Sequence, residues 1–202
     1  MKNKKFILTF IIFAMGTGLF FCYRNTEKAA AVESLAKSAI RFHVLANSDT
    51  QTDQSLKMKV KENVVDYIYN NTKSLDTVEE TKAFITKNDR EIKKVACDTI
   101  HSLGYNYPVS SSFGIQDFPV KTYGDIVFPK GAYTSYTLSI GEGKGHNWWC
   151  VLYPPLCFVD ASTSIVPDSS KELLKESMTD KEYGTIVKYR FKYLTFLNNF
   201  LE

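Results

Sequence analysis

The order of hydrophobic and polar residues predicts a strand and a helix at the start of the body of the chain. Residues 38–46 alternate and predict a strand with Ile40, Phe42 and Val44 on one face. The helix that follows has an apolar stripe at every fourth position: Leu56, Val60, Val64 and Ile68. Its charged residues are expected to point away from that stripe: Lys57, Lys59, Lys61 and Glu62.

Two capping boxes predict where the first two helices of the body begin. Ser48 with Gln51 marks the start of the first helix, and Thr77 with Glu80 marks the start of the second. The second helix is expected to end at Gly104, and it presents an apolar face made of Val78, Ile85, Ile92, Ala96, Thr99 and Leu103. Asn88-Asp89 leaves open a division of this stretch into two helices.

From Tyr107 the hydrophobic period changes to two, which is typical of strands. The pattern predicts three strands, over residues 107–115, 118–128 and 132–140, joined as an antiparallel meander. We therefore expect an α+β fold, with a mostly antiparallel sheet and helices packed on one side of it. The residues from Asp180 to Leu201 predict an amphipathic C-terminal helix.

The N-terminus has the layout of an export segment. Lys2, Lys4 and Lys5 precede the uncharged run Phe6–Phe21. The residues leave open whether this segment is a cleaved signal peptide or an uncleaved membrane anchor. In either case the rest of the chain is expected outside the cytoplasm. The predicted division is residues 1–31 for export, 32–167 for the α+β domain and 168–202 for the C-terminal helical segment.

Charge and composition exclude several classes of function. The chain has 202 residues and a net charge of +3. Residues 1–31 contain five basic residues and one acidic residue, which leaves 20 basic and 21 acidic residues in 32–202. A nearly neutral body gives no support for nucleic-acid binding. The glycine-rich stretch 141–145 lacks the Ser or Thr of a phosphate-binding loop, and no cofactor or metal site is expected.

The cysteines leave two interpretations open. An exported chain can keep a disulfide, and Cys150 with Cys157 is the near pair, but two buried thiols fit the sequence equally well. His146 and Cys150 would face one another on a helix, which makes a thiol nucleophile with a histidine base conceivable. No third residue that would orient His146 is evident, so a structural role for Cys150 is the favoured interpretation.

Three segments of the sequence resemble the stage II sporulation protein R family. They are IRFHVLANSDTQTDQSLKMKV at 40–60, FPVKTYGDIVFPKGAY at 118–133 and IGEGKGHNWWCVLYPPLCFVD at 140–160. The resemblance implies a sporulation signalling protein without catalytic residues. Such a protein is exported from the forespore into the space between the forespore and mother-cell membranes. There it activates a membrane-embedded aspartic protease, stage II sporulation protein GA, which processes the sigma-E precursor in the mother cell.

The alternatives are an extracytoplasmic Cys/His hydrolase or transpeptidase of the spore envelope, and a structural envelope protein. We expect no nucleic-acid partner and no small-molecule substrate. The candidate residues for binding the protease are Trp148, Trp149, His146, Lys144, His43 and Asp49. The predicted C-terminal helix adds candidates for contact with a membrane surface: Lys188, Arg190, Lys192, Phe196 and Phe200.

Overall fold

A computed structural model describes residues 2–157 and 166–187. The elements in chain order are α1 (Lys2–Ser38), β1 (Ile40–Leu45), α2 (Gln51–Thr72), α3 (Val78–Ser102), β2 (Val109–Phe118), β3 (Lys121–Tyr123), β4 (Ile126–Phe128), β5 (Gly131–Ile140), β6 (Asn147–Tyr153), α4 (Asp168–Glu176) and α5 (Asp180–Ile186). The predicted α+β class is confirmed, and β1 lies where the alternation of residues 38–46 placed it.

The main sheet has four strands in the order β2-β5-β1-β6. β1 runs parallel to β5, whereas the β1–β6 and β2–β5 pairs are antiparallel, so the sheet is mixed. The predicted three-stranded meander is wrong, because residues 121–128 form a separate hairpin of β3 and β4. That hairpin leaves the main sheet, so β2 pairs directly with β5 along its whole length, from Val109 opposite Ile140 to Phe118 opposite Gly131.

One core lies between α2, α3 and one face of the sheet. Ile40, Phe42 and Val44 of β1 are fully buried there. The predicted α2 stripe is confirmed, since Leu56, Val60, Val64 and Ile68 are all buried in the same cluster. Burial of such apolar side chains stabilises the fold by about 1.5–3 kcal/mol for each one.

A second core covers the opposite face, which makes the prediction of helices on one side wrong. It contains Leu35 of α1, Leu174 of α4 and Ile186 of α5, packed with residues of the sheet and of the small hairpin. The sequence did not indicate this second layer, because the polar residues Arg41 and His43 give β1 the alternation of a strand with one exposed face. Both side chains are in fact buried, so β1 is buried on both faces.

The predicted helix starts have mixed outcomes. The Thr77–Glu80 capping box is present at the start of α3. The Ser48–Gln51 box is wrong, because Thr50 is the N-cap of α2 and accepts a hydrogen bond from the Asp53 backbone. α3 continues through Asn88-Asp89 without a break. Leu103, the C-cap of the helix and the last residue of the predicted apolar face, is exposed rather than buried.

The predictions for the N-terminal segment and for the C-terminal helix agree with the structure only in part. α1 is continuous across the predicted boundary at residue 31, and Ala31 and Leu35 are fully buried. Among the described residues, no helix combines the length and apolarity needed to cross a membrane. The predicted continuous helix from Asp180 is wrong, because α5 ends at Ile186 and Val187 is extended and bridges to Ile126. Gly184 and a run of β-branched residues weaken the helix there.

Candidate functional site

The first and third of the resembling segments come together at one end of the sheet. Leu45, the last residue of β1, pairs with Asn147, the first residue of β6. The loops that continue from these two residues are then held together by their backbones. The Gly145 N–H donates to the Ala46 carbonyl at 2.9 Å, and the Lys144 N–H donates to the Asn47 carbonyl at 3.2 Å. We call these two loops, residues 46–50 and 141–146, the loop junction.

Glycine is required at two places in the loop junction. Gly141 has φ +59° and lies against the side chain of Asn47, whose Oδ1 accepts the Glu142 N–H at 3.0 Å. Gly145 lies so close to Ser48 that a methyl group on it would collide with the Ser48 carbonyl oxygen. The glycine-rich stretch thus allows two backbones to approach each other, and its glycines need no phosphate ligand to explain them.

Asp49 and His146 form the exposed part of the loop junction. One carboxylate oxygen of Asp49, Oδ1, accepts the His146 backbone N–H at 2.6 Å and lies 2.5 Å from Nδ1 of the ring, which donates to it. These hydrogen bonds, the backbone one first, lower the pKa of Asp49. The side chains are 54% and 81% exposed, so a partner can reach both of them. Lys144, beside them, is exposed and pairs with Glu142 at 2.7 Å.

Lys57 of α2 holds the second loop of the loop junction. The prediction that its side chain is exposed is wrong. Its side chain is buried, and Nζ donates to the His146 carbonyl at 2.8 Å and to Gln54 Oε1 at 2.6 Å. Burial lowers the pKa of Lys57, while the charge of Asp49 opposes that effect. No local pattern could have identified this role, because the carbonyl that Lys57 binds lies 89 residues away in the sequence.

Asp53 fixes the first of the two loops from inside. It is buried and accepts hydrogen bonds from the Ser48 hydroxyl at 2.5 Å and from Asn47 Nδ2 at 2.9 Å. The Ser48 bond is the main cause that holds the pKa of Asp53 below its ordinary value. Asn47 therefore connects α2 to the second loop, since Nδ2 donates to Asp53 and Oδ1 accepts from Glu142.

The two tryptophans lie on opposite faces of β6 and both are half-buried. Trp148 packs edge-on against Phe42 in the first core, and the Lys61 ammonium lies 4.8 Å from its ring centre. Trp149 belongs to the second core and stacks on His43, with ring centres 4.7 Å apart and planes 4° from parallel. Neither ring is fully buried, so each presents part of its surface to a partner.

His43 is a buried residue of the second face rather than an exposed one. Its Nε2 lies 2.7 Å from Gln116 Oε1 and 2.6 Å from Thr137 Oγ1, while Nδ1 is buried and none of the described residues bonds it. Burial is the main cause that lowers the pKa of His43, and the Arg41 charge adds to it. His43 therefore reaches a partner only through Trp149, which covers it.

A disulfide joins Cys150 to Cys157 in the structure. Cys150 is buried in the middle of β6, and its sulfur is not a free thiol. His146 precedes that strand, and four residues of extended chain span about 13 Å, so it does not face Cys150 as it would on a helix. The Cys/His nucleophile hypothesis has no support from this geometry.

The remaining predicted sites add little chemistry. In the described part of the chain no three metal-ligating side chains come together. The candidate membrane-contact residues lie outside the described residues: Lys188, Arg190, Lys192, Phe196 and Phe200. The loop junction carries exposed hydrogen-bonding side chains, both acidic and basic, and two half-exposed indole rings follow it on β6. Side chains of these kinds can contact a binding partner.

The comparisons with known proteins identify the family of this chain. The stage II sporulation protein R family matches residues 36–163, which include the whole loop junction and both tryptophans. The chain is also 33% identical to stage II sporulation protein R of Bacillus subtilis (strain 168), over 93% of this chain and 95% of that protein. No solved structure matches it. The chain belongs to the stage II sporulation protein R family.

Proposed function

We propose that this protein is an exported sporulation signal that activates a membrane-embedded aspartic protease. Family membership carries the proposal, because the family match covers the loop junction from end to end. The protease is the one that the family resemblance implies, stage II sporulation protein GA. Its activation leads to processing of the sigma-E precursor in the mother cell.

The loop junction and the two tryptophans that follow it on β6 together form the docking surface in this proposal. It is built from two distant parts of the chain, so its exposed groups take their places only when the domain is folded. Asp49, His146 and Lys144 supply polar contacts, and Trp148 and Trp149 supply the aromatic area that often dominates binding energy. A signal of this kind works by preferring the active state of its target, and a coupling of about 1–3 kcal/mol shifts that equilibrium 5- to 150-fold.

The location of the protein is part of the same proposal. The lysines and uncharged run at the N-terminus support export from the forespore into the space between the two membranes. The disulfide between Cys150 and Cys157 also suits a compartment outside the cytoplasm, where disulfides persist. The protease would then meet the domain on the outer side of the mother-cell membrane.

Co-expression in a non-sporulating bacterium tests the proposal directly. The full chain is produced together with the protease and the sigma-E precursor, and cleavage of the precursor is followed by immunoblot. We expect cleavage only when both the chain and the protease are present. Precursor that stays intact when all three proteins are made, folded and correctly exported would contradict the proposed activity.

Variants in the same assay test the docking surface separately. His146→Gln keeps the polarity of the side chain but changes its shape and its bond to Asp49, and we expect cleavage to fall at least tenfold. His101→Gln is the matched control, because His101 is an exposed histidine at the C-terminal end of α3 and belongs to neither loop of the junction. Equal cleavage with both variants would exclude His146 from the docking surface. It would not contradict the proposed activation of the protease.

The hydrolase alternative is tested with the cysteines. A Cys150→Ser/Cys157→Ser double variant lacks both the disulfide and any thiol nucleophile in β6. A signalling protein would keep precursor cleavage in proportion to the folded fraction that remains. Complete loss of activity in a variant shown to be folded would favour the enzyme instead.

A further inference from the structure

Arg41 is the largest fully buried side chain among the described residues. It lies on β1, on the face that carries the second core, where four aromatic rings surround the guanidinium. The centres of these rings lie 4.5–5.7 Å from the guanidinium carbon, and the rings belong to Phe118, Phe128, Tyr133 and Tyr123. An arginine in this position is always charged, because the pKa of a guanidinium is too high for it to lose its proton.

Within residues 2–157 and 166–187 the guanidinium has no hydrogen-bond acceptor. Nε, Nη1 and Nη2 are all buried and find no partner there, although together they carry five N–H donors. Aromatic faces attract the charge, but they do not replace in-plane acceptors. An unpaired buried charge is costly, so the rings alone leave the N–H donors of Arg41 unsatisfied.

Two further donors on the same side of the sheet have no partner in the part of the chain that the structure describes. Ser135 on β5 is directly opposite Arg41 in the parallel pair, it is fully buried, and its hydroxyl makes no hydrogen bond. The Tyr123 hydroxyl is also buried and unpartnered. Tyr133, in contrast, donates its hydroxyl to the Pro129 carbonyl at 2.8 Å.

The carboxylate of the small hairpin does not supply the missing acceptor. Asp125, the acidic residue between β3 and β4, bonds Lys171 at 2.9 Å through Oδ2, and its Oδ1 is buried and bonds neither Arg41 nor any other described residue. The site therefore combines one fixed positive charge, two neutral hydroxyl donors and apolar walls. This combination suits a small anion with a single charge and weak hydration, and it disfavours phosphate or sulfate.

We propose that Arg41, with the hydroxyls of Ser135 and Tyr123, binds a small monovalent anion of the size of chloride or bromide inside the second core. The anion neutralises the guanidinium and accepts the donors that the protein leaves free. Since the site is closed to solvent, the anion enters as the domain folds. It ties β1 and β5 of the sheet to the small hairpin that carries Tyr123.

The test uses the full chain, unfolded and then refolded in sodium gluconate, whose anion is too large for an enclosed site. Thermal unfolding is followed by circular dichroism as chloride replaces gluconate at constant ionic strength. We expect the unfolding temperature to rise with chloride and to saturate. At a concentration a hundred times the dissociation constant the rise is roughly 5–10 °C.

Variants assign the effect to the site. Arg41→Met keeps the length of the side chain without its charge and should abolish the chloride-dependent rise, whatever its own stability. Ser135→Ala keeps the charge and should raise the chloride concentration needed for half the effect severalfold, which covers the case in which Arg41→Met does not fold. Arg90→Met, at an exposed position of α3, is the matched control and should respond to chloride like the parent chain.

Two results would overturn the proposal. One is an unfolding temperature that is the same in chloride and in gluconate, even if Arg41→Met is strongly destabilised, since the chain itself would then satisfy the guanidinium. The other is a chloride-dependent rise that persists in a folded Arg41→Met variant, since the ion would then bind elsewhere.

Discussion

Asp49 accepts both the backbone N–H and the ring Nδ1–H of His146, a residue 97 positions further along the chain. A single carboxylate oxygen thus orders the side chain of His146 and the backbone of the loop that carries it. The pair is exposed, so its contribution lies in the shape of the loop junction rather than in the stability of the domain.

Asp49→Asn is expected to loosen the loop junction without unfolding the domain. The neutral amide is a weaker acceptor, so the His146 amide should exchange its hydrogen several times faster, while the unfolding temperature stays nearly constant. Hydrogen exchange followed by NMR measures this. Asp66→Asn, at an exposed position of α2, is the control and should leave the His146 amide unchanged. Unaltered exchange in Asp49→Asn would show that the backbone alone orders the loop.

Gly145→Ala is expected to destabilise the domain by about 1–3 kcal/mol, because the added methyl group collides with the Ser48 carbonyl oxygen and separates the two loops. Chemical denaturation measures the change in the free energy of unfolding. Gly114→Ala is the matched control: Gly114 lies on β2, a methyl group there would meet nothing within 4 Å, and little change is expected. Equal stability of the two variants would mean that the loops do not approach each other as described.

Stability is expected to fall as the pH decreases from about 7 to 5, because of His43. Burial lowers the folded-state pKa of His43 below its unfolded value, so the unfolded chain binds more protons in this range. The unfolded state is therefore stabilised relative to the folded state as the pH falls. Protonation would also place an N–H at Nδ1, where the described part of the chain offers no acceptor. For each unit by which the folded-state pKa lies below the unfolded-state pKa, the free energy of unfolding falls by about 1.4 kcal/mol once the pH is below both values.

The measurement is the free energy of unfolding between pH 5 and pH 8. His43→Gln should flatten the profile over this range, and His101→Gln, at an exposed position, should not. A parent chain whose stability is constant from pH 7 to pH 5 would contradict the lowered pKa of His43.

Reduction of the disulfide is expected to destabilise the domain by about 2 kcal/mol, the lower end of the usual range, since Cys150 and Cys157 enclose only a short loop. Unfolding is measured with and without a reducing agent. A Cys150→Ala/Cys157→Ala variant should be insensitive to the reductant, whereas Cys97→Ala, which removes a free cysteine, should respond like the parent. A parent chain that does not respond would show that the bond contributes nothing to stability.

Sequence reasoning succeeded where the signal was local and failed where burial depended on distant residues. The Thr77–Glu80 capping box needs only four consecutive residues, and it is present as predicted. Lys57 was placed on the solvent side because its helix pattern is polar there, but the His146 carbonyl provides it with a buried partner. The second core was missed for the same reason, since Arg41 and His43 give β1 the alternation of a half-exposed strand while both are buried.

The order of the strands has a consequence for how the protein reaches its folded state. β1 is the first strand to be made, but both of its neighbours, β5 and β6, lie about 90 residues or more downstream. The sheet therefore cannot close until most of the chain is available, and contacts over such separations form slowly because a long loop must first be ordered. In the proposed role of an exported signal, slow closure of the sheet would keep the chain competent for export. It would also delay assembly of the proposed docking surface until export is complete.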